Sequence, residues 1–337
     1  MSLRPIKLPQ DFDTIERLGV DSFHYPDHPE WNMEQEEIDS IADMVKQYKK
    51  VWFWIKLLGN FSYQIRNFNV GYIWEEADVP AGVIFNHSSI KEEWWISTLG
   101  VLPEFRRRGI ARNLLEYSIN DFKSRGAKRA FLSVITDNLP ARNFYLKSGF
   151  VEFSGDVEME HPGAQVDEPI LLTGYSEKEM NRFDGQTKFV LADKITPDEV
   201  KQFAPLIEKD FHTGFLMRLA TPIIDQAEGV KHLNFAYYSA ETNEILGRFG
   251  IILRIREGGM VHAFLRLAPR HPALAEYMFR KMLHIASKEN PGRKLVMSLP
   301  IWQEEAINAA KNAGFTPKVE YREMALNLEE WVKEEIV

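Results

Sequence analysis

The chain has 337 residues, which is enough for two domains of ordinary size. Hydrophobic residues make up 45% and charged residues 27%, a composition that excludes a mostly disordered or fibrous protein. Cys is absent, which excludes disulfides, thiolate nucleophiles and Cys-ligated metals. The net charge of −8 argues against a general nucleic-acid binder, which needs a basic face, and is compatible with a cationic substrate.

The sequence gives no sign of a membrane protein. Its first residues lack the apolar core of a signal peptide. The most apolar run, residues 51–58, is shorter than the roughly 20 residues that span a bilayer. We therefore expect a cytoplasmic protein with neither a membrane nor a nucleic-acid partner.

The first half of the chain shows a recognisable order of elements. Apolar spacing and turn residues predict helices over 13–23 and 35–48, strands over 70–75, 81–86 and 94–101, a helix over 110–122, a strand over 130–135, a helix over 140–148 and a strand over 150–153. Two helices are thus followed by a meander and then by alternating strands and helices. Gly126 and Gly149 stand where the last two helices should stop.

The second half repeats this pattern. After a Gly-, Pro- and charge-rich connector, a helix is predicted over 197–211 and strands over 233–238, 246–254 and 260–267. Pro103 recurs as Pro269 (269 − 103 = 166), and Gly149 recurs before a Phe as Gly314 (314 − 149 = 165). Chance recurrence is the alternative to a duplication. We predict a first domain over 1–157, a connector over 158–186 and a second domain over 187–337.

The strongest local motif is the run Arg106-Arg107-Arg108-Gly109-Ile110-Ala111, between a strand and the start of a helix. A helix N-terminus presents unpaired N–H groups and a positive dipole end. Gly109 and Ala111 are small enough for a ligand to approach the backbone, and arginines bind phosphate. The motif suits a pyrophosphate. A solvated basic helix start is the alternative, and it does not explain the small residues.

A second motif follows one helix and one strand later. In the run 138–150, Asn138 and Ala141 open a short helix and Tyr145 stands four residues before Gly149-Phe150. Together, the two motifs resemble those of the GNAT superfamily of acyl-CoA N-acyltransferases, and the resemblance covers residues 1–157.

This resemblance implies an α/β fold of two tandem GNAT-like domains, each a mixed, mostly antiparallel sheet flanked by helices. It implies acetyl-CoA as acyl donor, direct attack by an amine and no metal. The strand ending at 99–101 should diverge from the strand over 130–135 and bind pantetheine, with a backbone N–H near Leu99 polarising the thioester. Tyr145 would be the general acid. The residues expected to bind acetyl-CoA are Leu99, Gly100, Val101, Arg106, Arg107, Arg108, Gly109, Ile110, Ala111, Asn138 and Ala141.

The general base is open. Some relatives carry a Glu where this chain has Trp95, which cannot act as a base. Glu93 is a weak candidate two residues away, on the same face of the strand. His24, His28 and His87 could also accept the proton, directly or through water. An amine can also lose its proton to solvent.

Acceptor specificity in this fold usually comes from the first two helices and their loop, here residues 23–31, and the aromatic run over 52–54 could add a stacking surface. Such a run is more often core or interface. The acceptor, a small amine or a peptide or protein amine, is left open. The alternative to an enzyme is a non-catalytic sensor or interaction module that binds CoA or another ligand.

In the second copy, every position that matters for binding CoA or donating a proton has changed. Opposite Arg106, Gly109, Ala111, Asn138 and Tyr145 stand Pro272, Ala275, Tyr277, Gln303 and Ala310. Pro272 has no N–H, and Tyr277 would crowd a phosphate. We therefore expect a degenerate domain that serves as an internal pseudo-dimer partner in a monomer or binds an effector. A homodimer is also open.

Overall fold

The computed structural model describes residues 2–67 and 70–331. The chain forms two compact units. The first comprises Met1–Glu152, Leu219–Thr221 and Glu323–Val337, and the second comprises Phe153–Arg218 and Pro222–Arg322. The last residues of the predicted second domain, 332–337, lie outside the described residues.

The first unit is a mixed sheet with helices on both faces. Its elements are β1 (Ser2–Pro5), α1 (Phe12–Asp21), α2 (Gln35–Gly59), α3 (Tyr63–Arg66), β2 (Val70–Glu76), β3 (Val79–Ile90), β4 (Glu93–Val101), α4 (Ile110–Ser124), β5 (Arg129–Ile135) and α5 (Leu139–Lys147). Strands β1 to β4 are antiparallel neighbours, and β5 pairs with β4 in parallel. The short connections between β2, β3 and β4 make this pairing local, as the predicted meander requires.

The second unit repeats this order with its own elements. They are β6 (Val151–His161), β7 (Tyr175–Glu179), α6 (Gly185–Ile195), α7 (Asp198–Phe203), α8 (Phe215–Glu228), β8 (Val230–Ser239), β9 (Ile245–Arg254), β10 (Val261–Leu267), α9 (Pro272–Glu289), β11 (Leu295–Pro300), α10 (Glu304–Asn312) and β12 (Thr316–Asn327). Strands β7 to β10 are antiparallel neighbours, β11 pairs with β10 in parallel, and β6 pairs with β11 antiparallel. Both units therefore have one parallel pair in an otherwise mostly antiparallel sheet.

Each unit has its own main core. In the first, α4 packs on the sheet through its apolar face, which includes Ile110, Leu114 and Phe122. That core also includes Met324, Leu326 and Leu328, which the predicted bounds assign to the second domain. In the second unit, α9 and α10 pack on the side of the sheet that carries Leu265, Met297 and Leu299, among others.

Several predicted elements have different bounds in the structure. Helix α2 continues past Tyr48 to Gly59, since no Pro or Gly interrupts its sequence. The predicted helix over 197–211 ends at Phe203, because Pro205 disfavours helical backbone at the residue before it. Strand β6 runs on to His161, and the predicted connector contains β7.

No helix among residues 2–67 and 70–331 is long and apolar enough to cross a membrane.

Candidate active site

The two parallel strands of the first unit diverge at the C-terminal end of β4. Their pairing begins with Glu93 beside Arg129 and ends with Ile96 beside Leu132. Residues 97–101 continue along β3 instead. The gap between the ends of β4 and β5, which we call the wedge, is the divergence predicted from the sequence. Backbone groups on the β5 side of 97–101 lie outside the sheet ladder there.

A β-bulge at Ser97 accounts for this divergence. Phe85 and Asn86, adjacent on β3, pair with Thr98 and Ile96, so that Ser97 is an additional residue on β4. A bulge bends its strand and increases the local twist. The end of β4 therefore turns away from β5.

The predicted residues at the end of β4 have different surroundings. Leu99 is half-buried against the core. A Cβ on Gly100 would lie 2.6 Å from the Cβ of Ser22, so that only Gly lets the end of α1 approach the strand this closely. The carbonyl oxygen of Val101 accepts a hydrogen bond from Nε of Arg106 at 3.1 Å.

Arg106 connects the end of β4 to the end of α1. Besides its bond to Val101, its Nη2 donates to the carbonyl oxygen of Ser22 at 3.1 Å. Its guanidinium lies over the Tyr25 ring, 5.5 Å from the ring centroid. These contacts fix the loop before α4, so that the Arg106 side chain is a positioning group.

The rest of this motif presents backbone at the start of α4. Arg107 and Gly109 have left-handed backbone, with φ of +63° and +77°. Arg107, Arg108 and Gly109 are exposed, and a Cβ on Gly109 would meet no atom within 4 Å. Ile110 anchors the helix in the core. The N-cap residue is Gly109, which has no side chain to cap the helix, so that N–H groups of the first turn, including that of Ala111, lack intrahelical partners. Such a concave run of N–H groups is suited to an anion.

The second motif forms the start of α5. Asn138 is buried and caps the helix, its side-chain oxygen accepting a hydrogen bond from the N–H of Ala141 at 3.2 Å. Pro140 occupies the first turn, where its missing N–H costs nothing. Asn138 therefore sets the position from which α5 begins.

Tyr145 lies on α5 and is buried in the core that contains Leu99. Its ring meets that of Phe150 edge-on at 5.8 Å, and Gly149, with φ of +91°, ends the helix between them. Burial raises the pKa of the Tyr145 hydroxyl above its ordinary value, and Tyr25 acts in the same direction. The hydroxyl therefore keeps its proton at neutral pH.

Tyr25 was not singled out from the sequence, although its loop was. It lies between the two motifs, because its ring contacts Arg106 and its hydroxyl interacts with Asn138. Burial raises the pKa of Tyr25, whereas the charge of Arg106 and a hydrogen bond from Asn138 oppose that rise. Tyr25 also raises the pKa of Tyr145, as a smaller effect than burial. An aromatic residue in the loop after α1 was the available signal, but nothing in the sequence gives its contacts.

Glu93 lies away from the wedge. It is at the start of β4, six residues before Leu99, which is about 20 Å along a strand. Its carboxylate forms an ion pair with Arg129, with a distance of 2.7 Å from Oε1 to Nη2. These contacts do not favour Glu93 as a general base.

His87 lies next to the bulge. Its Nδ1 is 2.7 Å from the hydroxyl oxygen of Ser97, and its ring stacks with Trp95 at 6.5 Å and 12°. Burial lowers the pKa of His87, so that the ring is neutral at physiological pH. The structure therefore brings His87, rather than Glu93, to the part of β4 that adjoins the wedge.

The predicted acceptor surface has two parts with different surroundings. In the loop after α1, Trp31 contacts Tyr25 edge-on at 5.5 Å and stacks on His28 at 3.8 Å. His24 and His28 are exposed. The aromatic run lies on α2, where Trp52 packs against the Phe12 ring at 5.7 Å while residues 53–54 are exposed.

The second unit has its own wedge. Pairing of β10 with β11 begins with Val261 beside Leu295 and ends with Phe264 beside Ser298. The repeated Gly also has the same conformation, with φ of +93° at Gly314 against +91° at Gly149. The fold of the second copy is therefore preserved around the positions whose residues differ.

In the second unit, side chains form hydrogen bonds with backbone groups at the end of β10 and just before α9. Nε2 of Gln303 donates to the carbonyl oxygen of Leu267 at 3.0 Å. The Glu305 carboxylate accepts hydrogen bonds from the N–H of Arg270 at 2.9 Å and from that of His271 at 3.2 Å. A carboxylate thus accepts from the N–H groups just before α9, the helix of the second unit that corresponds to α4.

Part of the first unit matches a known protein family. Residues 28–150 match the profile of the acetyltransferase (GNAT) family. Over 59 residues the chain is 36% identical to N-alpha-acetyltransferase 30 of Schizosaccharomyces pombe, a match that covers 18% of this chain and 39% of that protein's length.

Two solved structures resemble nearly the whole chain. A tandem GNAT protein from the clavulanic acid biosynthesis pathway superposes with a TM-score of 0.66 at 13% identity, covering 97% of this chain and 98% of that one. A GCN5-related N-acetyltransferase from Sphaerobacter thermophilus gives 0.64 at 11% identity, covering 97% and 96%. At these identities the likeness shows the fold, which is that of tandem GNAT proteins.

Proposed function

On the premise that this chain belongs to the GNAT acetyltransferase family through residues 28–150, we propose that its first unit is an N-acetyltransferase that moves an acetyl group from acetyl-CoA to an amine. One observation carries the proposal. The wedge between β4 and β5 opens beside the uncapped start of α4 and shares its surroundings with the buried, protonated hydroxyl of Tyr145.

The donor would bind along the wedge. Backbone groups of Leu99 to Val101 that lie outside the ladder would pair with the pantetheine amides, because such groups need partners once they are buried. The N–H groups between Arg107 and Ala111 would bind the pyrophosphate, with charge from the exposed Arg107 and Arg108. Arg106 and Asn138 would act by positioning the loop and α5.

The reaction we propose is a direct transfer. The amine nitrogen attacks the thioester carbon, a C–N bond forms and the C–S bond breaks. The N–H of Leu99 would stabilise the charge on the carbonyl oxygen. Tyr145 would give its proton to the leaving thiolate and regain one from solvent. With ordinary pKa values of about 8.5 for a thiol and 10 for tyrosine, this transfer is uphill by about 2 kcal/mol, and the raised pKa of Tyr145 adds to that cost. Hydrogen bonding from Tyr145 would therefore precede the transfer.

His87 is our proposal for the group that accepts the amine proton. Alternate residues of β3 share a face, and Phe85 packs on the α1 side of the sheet with Val83. His87 therefore lies on that side, whereas Tyr145 lies in the core on the α4 side. With the proton acceptor and the proton donor on opposite faces of the sheet, the amine would enter from one face and the thiolate would leave on the other.

The loop over 23–31 would form part of the amine site. Its aromatic contacts lie beside Arg106 and Asn138, next to the wedge. The name of the fission-yeast relative refers to α-amino groups, so that peptides with a free N-terminus are candidate acceptors beside small primary amines.

Calorimetric titration of acetyl-CoA into the full chain tests donor binding. The variant is Gly109→Trp, whose side chain would fill the open space at the start of α4. Gly258→Trp is the matched control, because Gly258 has the same φ of +77° and an equally open Cβ direction in the second unit. We expect binding by the wild type and the control and none by Gly109→Trp. Equal binding by all three proteins would contradict the proposed pyrophosphate site at the start of α4.

Turnover separates an enzyme from a module that only binds CoA. Release of the CoA thiol can be followed with a thiol reagent without background, because the chain has no Cys. The assay is run separately with two classes of acceptor, small primary amines and peptides with a free α-amino group. Thiol release that depends on the amine supports the enzyme. Tight binding of acetyl-CoA without turnover in either arm would favour the sensor.

A further inference from the structure

The two faces of the second unit's sheet differ in character. Along β10, Val261, Ala263 and Leu265 are buried in the core under α9 and α10. The alternate residues, Phe264 and Arg266 among them, face the other side and are only half-buried. Part of this second face packs against α6 through an apolar cluster that includes Ala236 and Leu191. We call the second face the polar face, and it plays no part in the proposed acetyl transfer.

Two arginines stand side by side on the polar face. Arg248 of β9 is the direct cross-strand neighbour of Arg266 of β10. Neighbouring residues of antiparallel strands have Cα atoms about 5 Å apart, so that the two guanidiniums can reach one ligand. Like charges directly opposite each other are unfavourable in a sheet.

The Arg248 guanidinium is held in place by a ring. It lies over Phe264, 4.8 Å from the ring centroid. That ring crosses β9 at Gly250, where a Cβ would come within 2.3 Å of it. Gly250 thus makes room for Phe264, and Phe264 orients Arg248.

No carboxylate in the described part of the chain forms an ion pair or hydrogen bond with Arg248. One carboxylate interacts with the other arginine, since burial raises the pKa of Asp156 and the charge of Arg266 opposes the rise, whereas Asp184 caps α6 by accepting from the N–H of Thr187. Burial, and then the charge of Arg266, lower the pKa of Arg248 to about 10, which leaves it protonated at neutral pH.

Lys188 of α6 adds a third cationic group. Its Nζ donates to the carbonyl oxygen of Arg182. Burial lowers the pKa of Lys188, and the charges of Arg248 and Arg182 lower it further, whereas Asp184 opposes them. Positive groups from a strand pair and a helix thus converge on the polar face.

We propose that Arg248 and Arg266 bind the oxyanion group, carboxylate or phosphate, of a small ligand on the polar face of the second unit. A guanidinium presents a planar fork of donors that matches either group, and a partly buried pair of forks gains most from an anion between them. This site is separate from the proposed acetyl transfer and does not depend on it.

Thermal unfolding of the full chain tests this site. The midpoint is measured in chloride, inorganic phosphate and succinate at equal ionic strength, for the wild type and for Arg248→Met. Arg280→Met is the control, because Arg280 is exposed on α9, the helix that covers the opposite face. At an anion concentration of about 100 times the dissociation constant, we expect phosphate or succinate to raise the wild-type unfolding midpoint by about 5 °C.

The variants decide what such a shift means. We expect Arg248→Met to abolish the shift and Arg280→Met to keep it. A response to phosphate alone identifies a phosphate ligand, and a response to succinate identifies a carboxylate ligand. The proposal is overturned if neither anion shifts the wild-type midpoint. It is also overturned if the shift survives in Arg248→Met, and loss of that shift in Gly109→Trp would then assign it to the first unit.

Discussion

Among single residues, Tyr145 has the surroundings best matched to the role we propose for it. A phenol that burial keeps protonated can donate a hydrogen bond at any pH near neutrality, but its high pKa makes complete proton transfer costly. In the role we propose, Tyr145 would therefore stabilise the leaving thiolate only as the C–S bond lengthens. An interaction of that kind affects kcat and leaves KM for the donor almost unchanged.

We accordingly expect Tyr145→Phe to lower kcat for thiol release by about 100-fold, at the lower end of what a general acid contributes. KM for acetyl-CoA should change little. Tyr117→Phe is the control, because Tyr117 is half-exposed on α4 and contacts Tyr72 rather than the wedge. Turnover by Tyr145→Phe at the wild-type rate would exclude the acid role.

His87 gives a prediction in the pH profile. The base must be neutral to accept a proton, so that the rate falls as the pH drops through the pKa of His87. Burial lowers that pKa, and the acid limb of kcat/KM should therefore lie below pH 6.5, the ordinary value for histidine. His87→Gln should lower kcat and remove this limb, with His24→Gln as the exposed control. A limb unchanged in His87→Gln would assign it to another group.

The sequence predicted residue types at this site better than residue contacts. Gly109 and Tyr145 stand out by spacing, because a helix start and a Gly-ended helix have local signatures. The contacts of Arg106 with Ser22 and Tyr25 join segments about 80 residues apart, and no local pattern encodes them.

At the scale of elements, the second unit keeps the wedge, but its own side chains form hydrogen bonds with the backbone groups beside it. Gln303 and Glu305 belong to the start of α10 and reach the end of β10 and the N–H groups before α9. The Glu305 carboxylate stands at the start of α9, whereas we propose that the start of α4 in the first unit binds a pyrophosphate. It therefore supplies from within the chain the negative charge that the start of a helix favours.

Glu305→Ala should lower the free energy of unfolding by about 1–2 kcal/mol, because it leaves the N–H groups of Arg270 and His271 without their acceptor. Urea unfolding measures this loss. The neighbouring, exposed Glu304 provides the control Glu304→Ala, for which we expect little change. Equal stability of the two variants would show that water replaces the carboxylate at no cost.

Elements with a strong local pattern were predicted closely, and others were not. The bounds of β4, β5 and α5 differ from the prediction by a residue, since buried strands and Gly-ended helices have clear limits. Helices α6 and α8 were missed. The helix over 197–211 was predicted too long because apolar spacing was given more weight than Pro205.

At the scale of the whole molecule, the chain returns to its first unit at the C-terminus. Strand β12 begins in the second unit, and residues from Glu323 onward belong to the first. Met324, Leu326 and Leu328 are almost completely buried in the first unit's core. The sequence alone could not give this, because a domain boundary predicted from repeats assumes that each copy is continuous.

A chain that ends at Arg322 should therefore lose the fold of its first unit. Burial of three such side chains contributes roughly 5–9 kcal/mol, which is comparable to the whole stability of a typical domain. We expect this chain to bind no acetyl-CoA and to show only the second unit's unfolding transition by circular dichroism. A chain that ends at Trp331 is the control, since it keeps all three residues. Leu328→Ala is the milder version, with an expected loss of about 2–5 kcal/mol. Undiminished binding of acetyl-CoA by the chain that ends at Arg322 would show that residues 1–152 fold without their C-terminal segment.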